Sequence, residues 1–72
     1  MKMNSYYPKY RGSSVHIDVV LKTIGAPYSH YGAPKARARL ARINGIDHYT
    51  GTLDQNIYLI GLAKAGRLRK VR

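Results

Sequence analysis

The chain has 72 residues and no cysteine, so it is predicted to form one small domain without disulfide bonds or thiolate metal ligands. Its 13 Lys and Arg residues outnumber three acidic residues, and the resulting net charge of +10 predicts attraction to polyanions such as nucleic acid, teichoic acid or anionic lipid. No apolar run approaches the roughly 20 residues of a membrane span, and the N-terminus lacks an apolar signal-peptide core, so we expect neither an anchor nor a signal peptide.

The first predicted element is a basic, tyrosine-rich arm over residues 1–12, where tyrosines alternate with proline and basic residues without helical or strand periodicity. A first helix is predicted at about residues 14–24. Its apolar residues recur at the i, i+3, i+4, i+7 spacing of an amphipathic helix, namely at Ile17, Val20, Leu21 and Ile24. Ser13 and Ser14 are suitable N-caps, and Gly25 supplies a left-handed stop.

The second helix follows a loop that contains Tyr28 and Tyr31. Pro34 suits the first turn of a helix, because its missing N–H is not needed there. The pair Asn44-Gly45 is a helix stop signal. Between these signals lies a narrow apolar stripe among basic residues, formed by Ala36, Leu40 and Ile43.

The third helix begins with Thr52 and Gln55, whose spacing is the sequence signature of a capping box. Gly66 is its predicted end, and residues 69–72 are a basic tail. Its buried side is expected at Leu59, Ile60, Leu62 and Ala63. The sequence therefore predicts an all-α fold, a compact three-helix bundle over residues 13–68 with the arm before it and the tail after it.

Residues suited to catalysis or metal binding are few. The chain has three Asp, no Glu and no Cys, and His16, His30 and His48 are not at the i, i+3 or i+4 spacing of helical metal ligands. Asp47 and His48 could belong to a catalytic triad, but the sequence contains no G-x-S-x-G turn to supply the nucleophilic serine. We therefore expect a protein that binds rather than catalyses, without a metal or cofactor.

The second half of the chain carries an ordered set of motifs: Asn44-Gly45-Ile46, Tyr49, Gly51-Thr52, Gln55-Asn56, Leu59 and Lys64-Ala65-Gly66-Arg67-Leu68. This set resembles the small cell-wall-binding module found beside amidase and muramidase domains in endolysins and autolysins of Gram-positive bacteria and their phages. The front half is similar to the opening of that module, and the resemblance covers residues 6–68. The chain departs from the pattern at Ile57, at Ala63 and in a longer loop over residues 26–34.

The resemblance implies binding to peptidoglycan, with teichoic acid as a further candidate ligand, at the bacterial cell wall. The chain would reach the wall as part of a lysin or after lysis. The candidate ligand-binding residues are Arg37, Tyr49, Gln55, Asn56 and Tyr58. Arg37 can bind a carboxylate or phosphate through two parallel hydrogen bonds. Asn56 is not needed for the capping box, so its amide is a candidate for hydrogen bonding to a glycan or peptide. Tyrosine is the sole aromatic residue type, so several tyrosines are candidate contacts while at least two should complete the core: Tyr6, Tyr7, Tyr28, Tyr31, Tyr49 and Tyr58.

Two alternatives stay open. A cytoplasmic nucleic-acid-binding protein would use the positive charge, the arginine-rich second helix and the basic tail, although the second and third helices are too far apart in sequence for a helix-turn-helix. A membrane-active cationic peptide would need an open amphipathic helix, whereas the caps predict a folded domain without membrane insertion.

Overall fold

The computed structural model describes residues 5–71, so the first four residues of the predicted arm and Arg72 of the predicted tail lie outside the described range. The described chain forms α1 (Ile17–Thr23), a 3-10 helix (Tyr28–His30), α2 (Pro34–Ile43) and α3 (Leu53–Lys64). Residues 5–71 contain no β-strand, although one isolated antiparallel bridge joins Tyr6 to Arg69. The predicted all-α three-helix bundle is confirmed.

The start of α1 differs from the prediction. The helix begins at Ile17 with His16 as its N-cap, and neither Ser13 nor Ser14 caps it. The backbone N–H of Ser14 instead donates to the hydroxyl of Tyr10 at 2.9 Å, and the Ser14 hydroxyl accepts from His16 N at 3.1 Å. These two hydrogen bonds form a turn ahead of the helix, so the first turn predicted from the serines is absent.

The bounds of α2 and α3 agree with the sequence signals. Pro34 is the first residue of α2, and Gly45 follows its end with φ +100°, a left-handed conformation that glycine adopts without strain. At α3, Gln55 N donates to Thr52 Oγ1 at 3.2 Å, while Thr52 N donates to Gln55 Oε1 at 3.3 Å. Both halves of the capping box are therefore present.

The core is assembled from all three helices, the arm and Leu68, which follows α3. Helix α1 packs against α3, and α2 packs against the 3-10 helix. Three tyrosines take the places that phenylalanine or tryptophan fill in other small cores, so the expectation that at least two tyrosines complete the core is confirmed. The buried apolar residues are Tyr7, Tyr10, Ile17, Val20, Leu21, Ile24, Ala26, Tyr31, Leu40, Ala41, Leu59, Ile60, Ala63 and Leu68.

The described part of the arm is attached to the C-terminal end of the chain by backbone hydrogen bonds. Tyr7 N donates to Leu68 O at 2.9 Å, and Lys70 N donates to Ser5 O at 2.8 Å. Tyr10 N donates to the carbonyl of Ala63, in the last turn of α3, at 2.9 Å. The arm and the tail therefore form one short antiparallel pair that covers the end of α3.

Asn44 holds this pair on the end of α2. Its side chain is 7% exposed, and its amide group meets the backbone of Arg69 twice. Nδ2 donates to Arg69 O at 3.1 Å and to Leu40 O at 2.9 Å, while Oδ1 accepts from Arg69 N at 2.7 Å. The Asn44 side chain thus pairs with the backbone of Arg69 as a neighbouring β-strand would. The sequence indicated only its role at the end of the helix.

Substituting Asn44→Ala should lower the free energy of unfolding by about 2 kcal/mol, because the N–H and C=O of Arg69 both lose their partner in a partly buried contact. Urea denaturation followed by circular dichroism measures this change. The control is Arg42→Ala, an exposed position near the end of the same helix, which should alter stability by less than about 0.5 kcal/mol. Equal effects of the two substitutions would contradict the proposed role of Asn44.

Tyr7 combines burial with a hydrogen bond between side chains. Its hydroxyl lies 2.9 Å from His30 Nδ1, and Lys70 Nζ lies 5.7 Å from the centre of its ring. Burial raises the pKa of the Tyr7 phenol above its usual value of 10.0, since the charged phenolate would lose its hydration. The neutral phenol is therefore the form that the fold accommodates.

The raised pKa of Tyr7 predicts a loss of stability in alkali. The unfolded chain loses this proton near pH 10.0, before the folded chain does, so the contribution is complete below that pH and is lost as the pH rises through the folded pKa. The difference in free energy of unfolding between the natural chain and Tyr7→Phe should therefore shrink above pH 10.0. Urea denaturation from neutral to alkaline pH measures it, and a difference independent of pH would contradict the assignment.

Candidate ligand-binding face

Gln55 is fully engaged in shaping the connection between α2 and α3. Its Oε1 accepts from the backbone N–H groups of Thr50 at 2.8 Å and Gly51 at 3.1 Å, in addition to its bond within the capping box. Its Nε2 donates to His48 O at 2.8 Å. The side chain therefore fixes residues 48–52 against the start of α3, which gives this predicted ligand-binding residue a structural role.

Tyr49 and Asn56, two further predicted site residues, lie together. The hydroxyl of Tyr49 donates to Oδ1 of Asn56 at 2.6 Å. Both side chains are half-buried, and the Tyr49 ring packs against the core. Because each residue supports the other, replacing either one would disturb the α2–α3 connection as well as any ligand contact.

Tyr58 is the predicted site residue that is most open to solvent. Its side chain is 50% exposed and borders two shallow grooves. The first, which we call the arginine groove, has a volume of about 340 Å³ and is lined by Tyr6, Ile43, Asn44, Gly45, Tyr58, Leu62, Arg67 and Arg69. The second, the glutamine groove, has a volume of about 390 Å³ and is lined by Gly45, Ile46, Asp54, Gln55 and Tyr58.

The turn at Gly45 lies between these grooves. A Cβ atom at this position would lie 3.5 Å from the Tyr58 hydroxyl, in ordinary contact. The positive φ therefore accounts for glycine here better than lack of space does. Tyr58 and the two grooves form one continuous surface, which we call the Tyr58 face.

Arg37 does not line either groove of the Tyr58 face. Its guanidinium Nη1 donates to the backbone carbonyl of Tyr31 at 2.7 Å, so the side chain is half-buried against the segment that precedes α2. The structure thus separates the five predicted site residues. Gln55 and Tyr58 line the Tyr58 face, Tyr49 and Asn56 pair with each other and line neither groove, and Arg37 lies against Tyr31.

Of the described residues that line the arginine groove, Tyr58 alone is among the five predicted site residues, and Tyr6 is one of the candidate tyrosine contacts. Arg67 and Arg69 were not predicted. The guanidinium carbon of Arg69 lies 5.6 Å from the centre of the Tyr6 ring, in cation–π geometry. Tyr6 comes from the arm and the two arginines follow α3, and no local sequence pattern connects them. The pairing of arm with tail brings them together.

Neither a metal-binding cluster nor a membrane-spanning helix is found in the described part of the chain. Across residues 5–71, no three His, Cys, Asp or Glu side chains are grouped closely enough to hold a metal ion. None of the helices in this range has the length and apolar content needed to cross a bilayer.

Comparison of the chain with protein-family models, with curated proteins and with solved structures gives no match.

Proposed function

We propose that this chain is a non-catalytic module that binds peptidoglycan of the bacterial cell wall through the Tyr58 face. The observation that carries the proposal is the half-exposed Tyr58 ring between two grooves. Tyrosine rings stack on the flat faces of sugars while their hydroxyl groups stay hydrated. A glycan chain that crosses the ring would extend into a groove on each side.

The polar groups beside the ring suit a neutral, hydroxyl-rich ligand. The glutamine groove has Asp54 among its lining residues, and the carboxylate oxygens of Asp54 can accept hydrogen bonds from hydroxyl or amide groups. The loop holds the Gln55 side chain through both its oxygen and its nitrogen, so Gln55 forms a fixed wall of this groove. Segment 44–68, which carries the resemblance to cell-wall-binding modules, contributes most of the residues that line both grooves.

In this proposal the chain binds the bacterial cell wall, either alone or to keep an attached lytic enzyme close to the peptidoglycan that the enzyme cleaves. Teichoic acid would add a second, charge-driven attraction because the chain carries a net charge of +10. Ligand binding would require neither a metal nor a cofactor.

Nucleic acid is the second candidate ligand, and one observation favours it. Lys35, Arg39 and Arg42 are exposed and recur at i, i+4 and i+7, which places them on one side of α2. Such a basic stripe is typical of surfaces that contact phosphates. The connection between α2 and α3 spans residues 44–52, longer than the turn of a helix-turn-helix, so a contact of this kind would be made without that motif.

Replacing Tyr58→Ala should weaken binding to cell walls stripped of teichoic acid by about 1 kcal/mol or more, because the stacking surface is lost. Sedimentation of the protein with purified walls measures the affinity, and circular dichroism checks that the helices are retained. Tyr28→Ala is the matched control, since Tyr28 is 72% exposed and does not line either groove of the Tyr58 face. Equal losses in both variants would contradict the assignment of the face.

Salt distinguishes the two candidate ligands. Between about 50 and 200 mM salt, binding to DNA should fall by orders of magnitude through counterion release, whereas most of the binding to stripped walls should persist. The same titration on both ligands, with matched protein concentrations, makes the comparison direct. Binding to stripped walls that disappears over this range would reject the peptidoglycan proposal in favour of a general polyanion interaction.

A further inference from the structure

The arginine groove contains unneutralised positive charge next to apolar surface. Arg67 and Arg69 both line it, and none of the described residues that line it is acidic. Within residues 5–71, no ion pair joins either guanidinium to a carboxylate. The same groove is lined by the aliphatic side chains of Ile43 and Leu62 and by two tyrosines. A ligand that fits this combination has an anionic group attached to a small apolar body.

The backbone explains why two arginines reach one groove. Arg67 and Arg69 are exposed on either side of Leu68, which is fully buried in the core. In an extended segment alternate side chains point to the same side, so anchoring Leu68 inward directs its neighbours outward together. Asn44 holds the N–H and the C=O of Arg69, and this fixes the start of the Arg69 side chain relative to the groove.

We propose that the arginine groove binds free carboxylates of the peptide stem of peptidoglycan. This inference rests on the proposed function and extends it from the glycan to the peptide. A guanidinium donates two parallel hydrogen bonds to a carboxylate, a geometry that an ammonium group cannot match. The stem carries carboxylates on short aliphatic residues, whose methyl groups suit contact with Ile43, Leu62 and the tyrosine rings. Tyr58 lines both grooves, so glycan and peptide would be recognised on one continuous surface.

The test uses walls stripped of teichoic acid and divided into two samples, one with the stem carboxylates converted to amides and one mock-treated. The chain should bind the amidated walls about tenfold more weakly, as expected for loss of a charge-assisted contact. The double variant Arg67→Gln with Arg69→Gln should bind both samples equally, at the weaker level. Thermal unfolding confirms that each variant is folded.

The matched control is Arg39→Gln with Arg42→Gln, which removes the same charge from the exposed side of α2. This variant should still distinguish mock-treated from amidated walls by about the same factor as the natural chain. Equal binding of the natural chain to both wall samples would overturn the carboxylate assignment and leave the proposed function standing. Loss of discrimination in the control would also overturn it, because net charge would then be responsible.

A soluble probe separates this inference from the proposed function. Alanyl-isoglutamate and its amidated form can each be titrated into isotope-labelled protein while the backbone amide signals of Leu62, Arg67 and Arg69 are followed by NMR. Shifts with the acid but not with the amide would support the groove even if the chain failed to bind intact walls. No shift with either, or tighter binding of a short oligonucleotide that the Arg67 and Arg69 substitutions abolish, would overturn it.

Discussion

The contact between the Asn44 side chain and the backbone of Arg69 is the interaction on which the rest of the structure depends. It attaches the tail to the end of α2, and the arm in turn pairs with the tail through Tyr7 and Leu68. Without residues 68–70 in place, the described part of the arm would keep one of these three backbone hydrogen bonds, from Tyr10 N to Ala63 O. The Tyr7 ring would also lose its contact with Lys70. One buried amide therefore connects the helices to both terminal segments.

The parts of the fold that could be predicted from sequence are those determined within a few residues. Pro34, the glycine after Asn44 and the capping box at Thr52 each act on their own turn of helix, and α2 and α3 have the expected bounds. The start of α1 could not be predicted in this way. The Ser14 amide is taken by the Tyr10 hydroxyl, which is buried through tertiary packing that the serines do not encode. The pairing of arm with tail likewise depends on contacts between the two ends of the chain.

The same distinction applies to the candidate site. Four of the predicted residues lie close in sequence, and the helix cap and loop keep them together. Sequence indicated the capping role of Gln55, but it could not indicate that Asn56 is bound by Tyr49 while Tyr58 remains half-exposed. The two arginines of the arginine groove were not predicted, since Tyr6 and Arg69 meet through the long-range pairing. In the sequence, Arg67 and Arg69 belong to a run of basic residues. Their side chains share one direction because Leu68 between them is buried.

The net charge does not by itself identify the ligand, because the structure places the cations in two different environments. Lys35, Arg39 and Arg42 are on exposed helix surface, where their field attracts any polyanion over a distance limited by salt to about 8 Å in physiological solution. Arg67 and Arg69 border a shallow groove with aliphatic and aromatic side chains, where apolar contacts can accompany a charge-assisted hydrogen bond. The first group suits capture at a charged surface, whether wall or nucleic acid. The second group can select among ligands that have already been captured, because a bidentate contact requires an acceptor of the right shape. In the proposed binding mode, discrimination is therefore expected to depend on Arg67 and Arg69, and the rate of association on exposed cations such as those of α2.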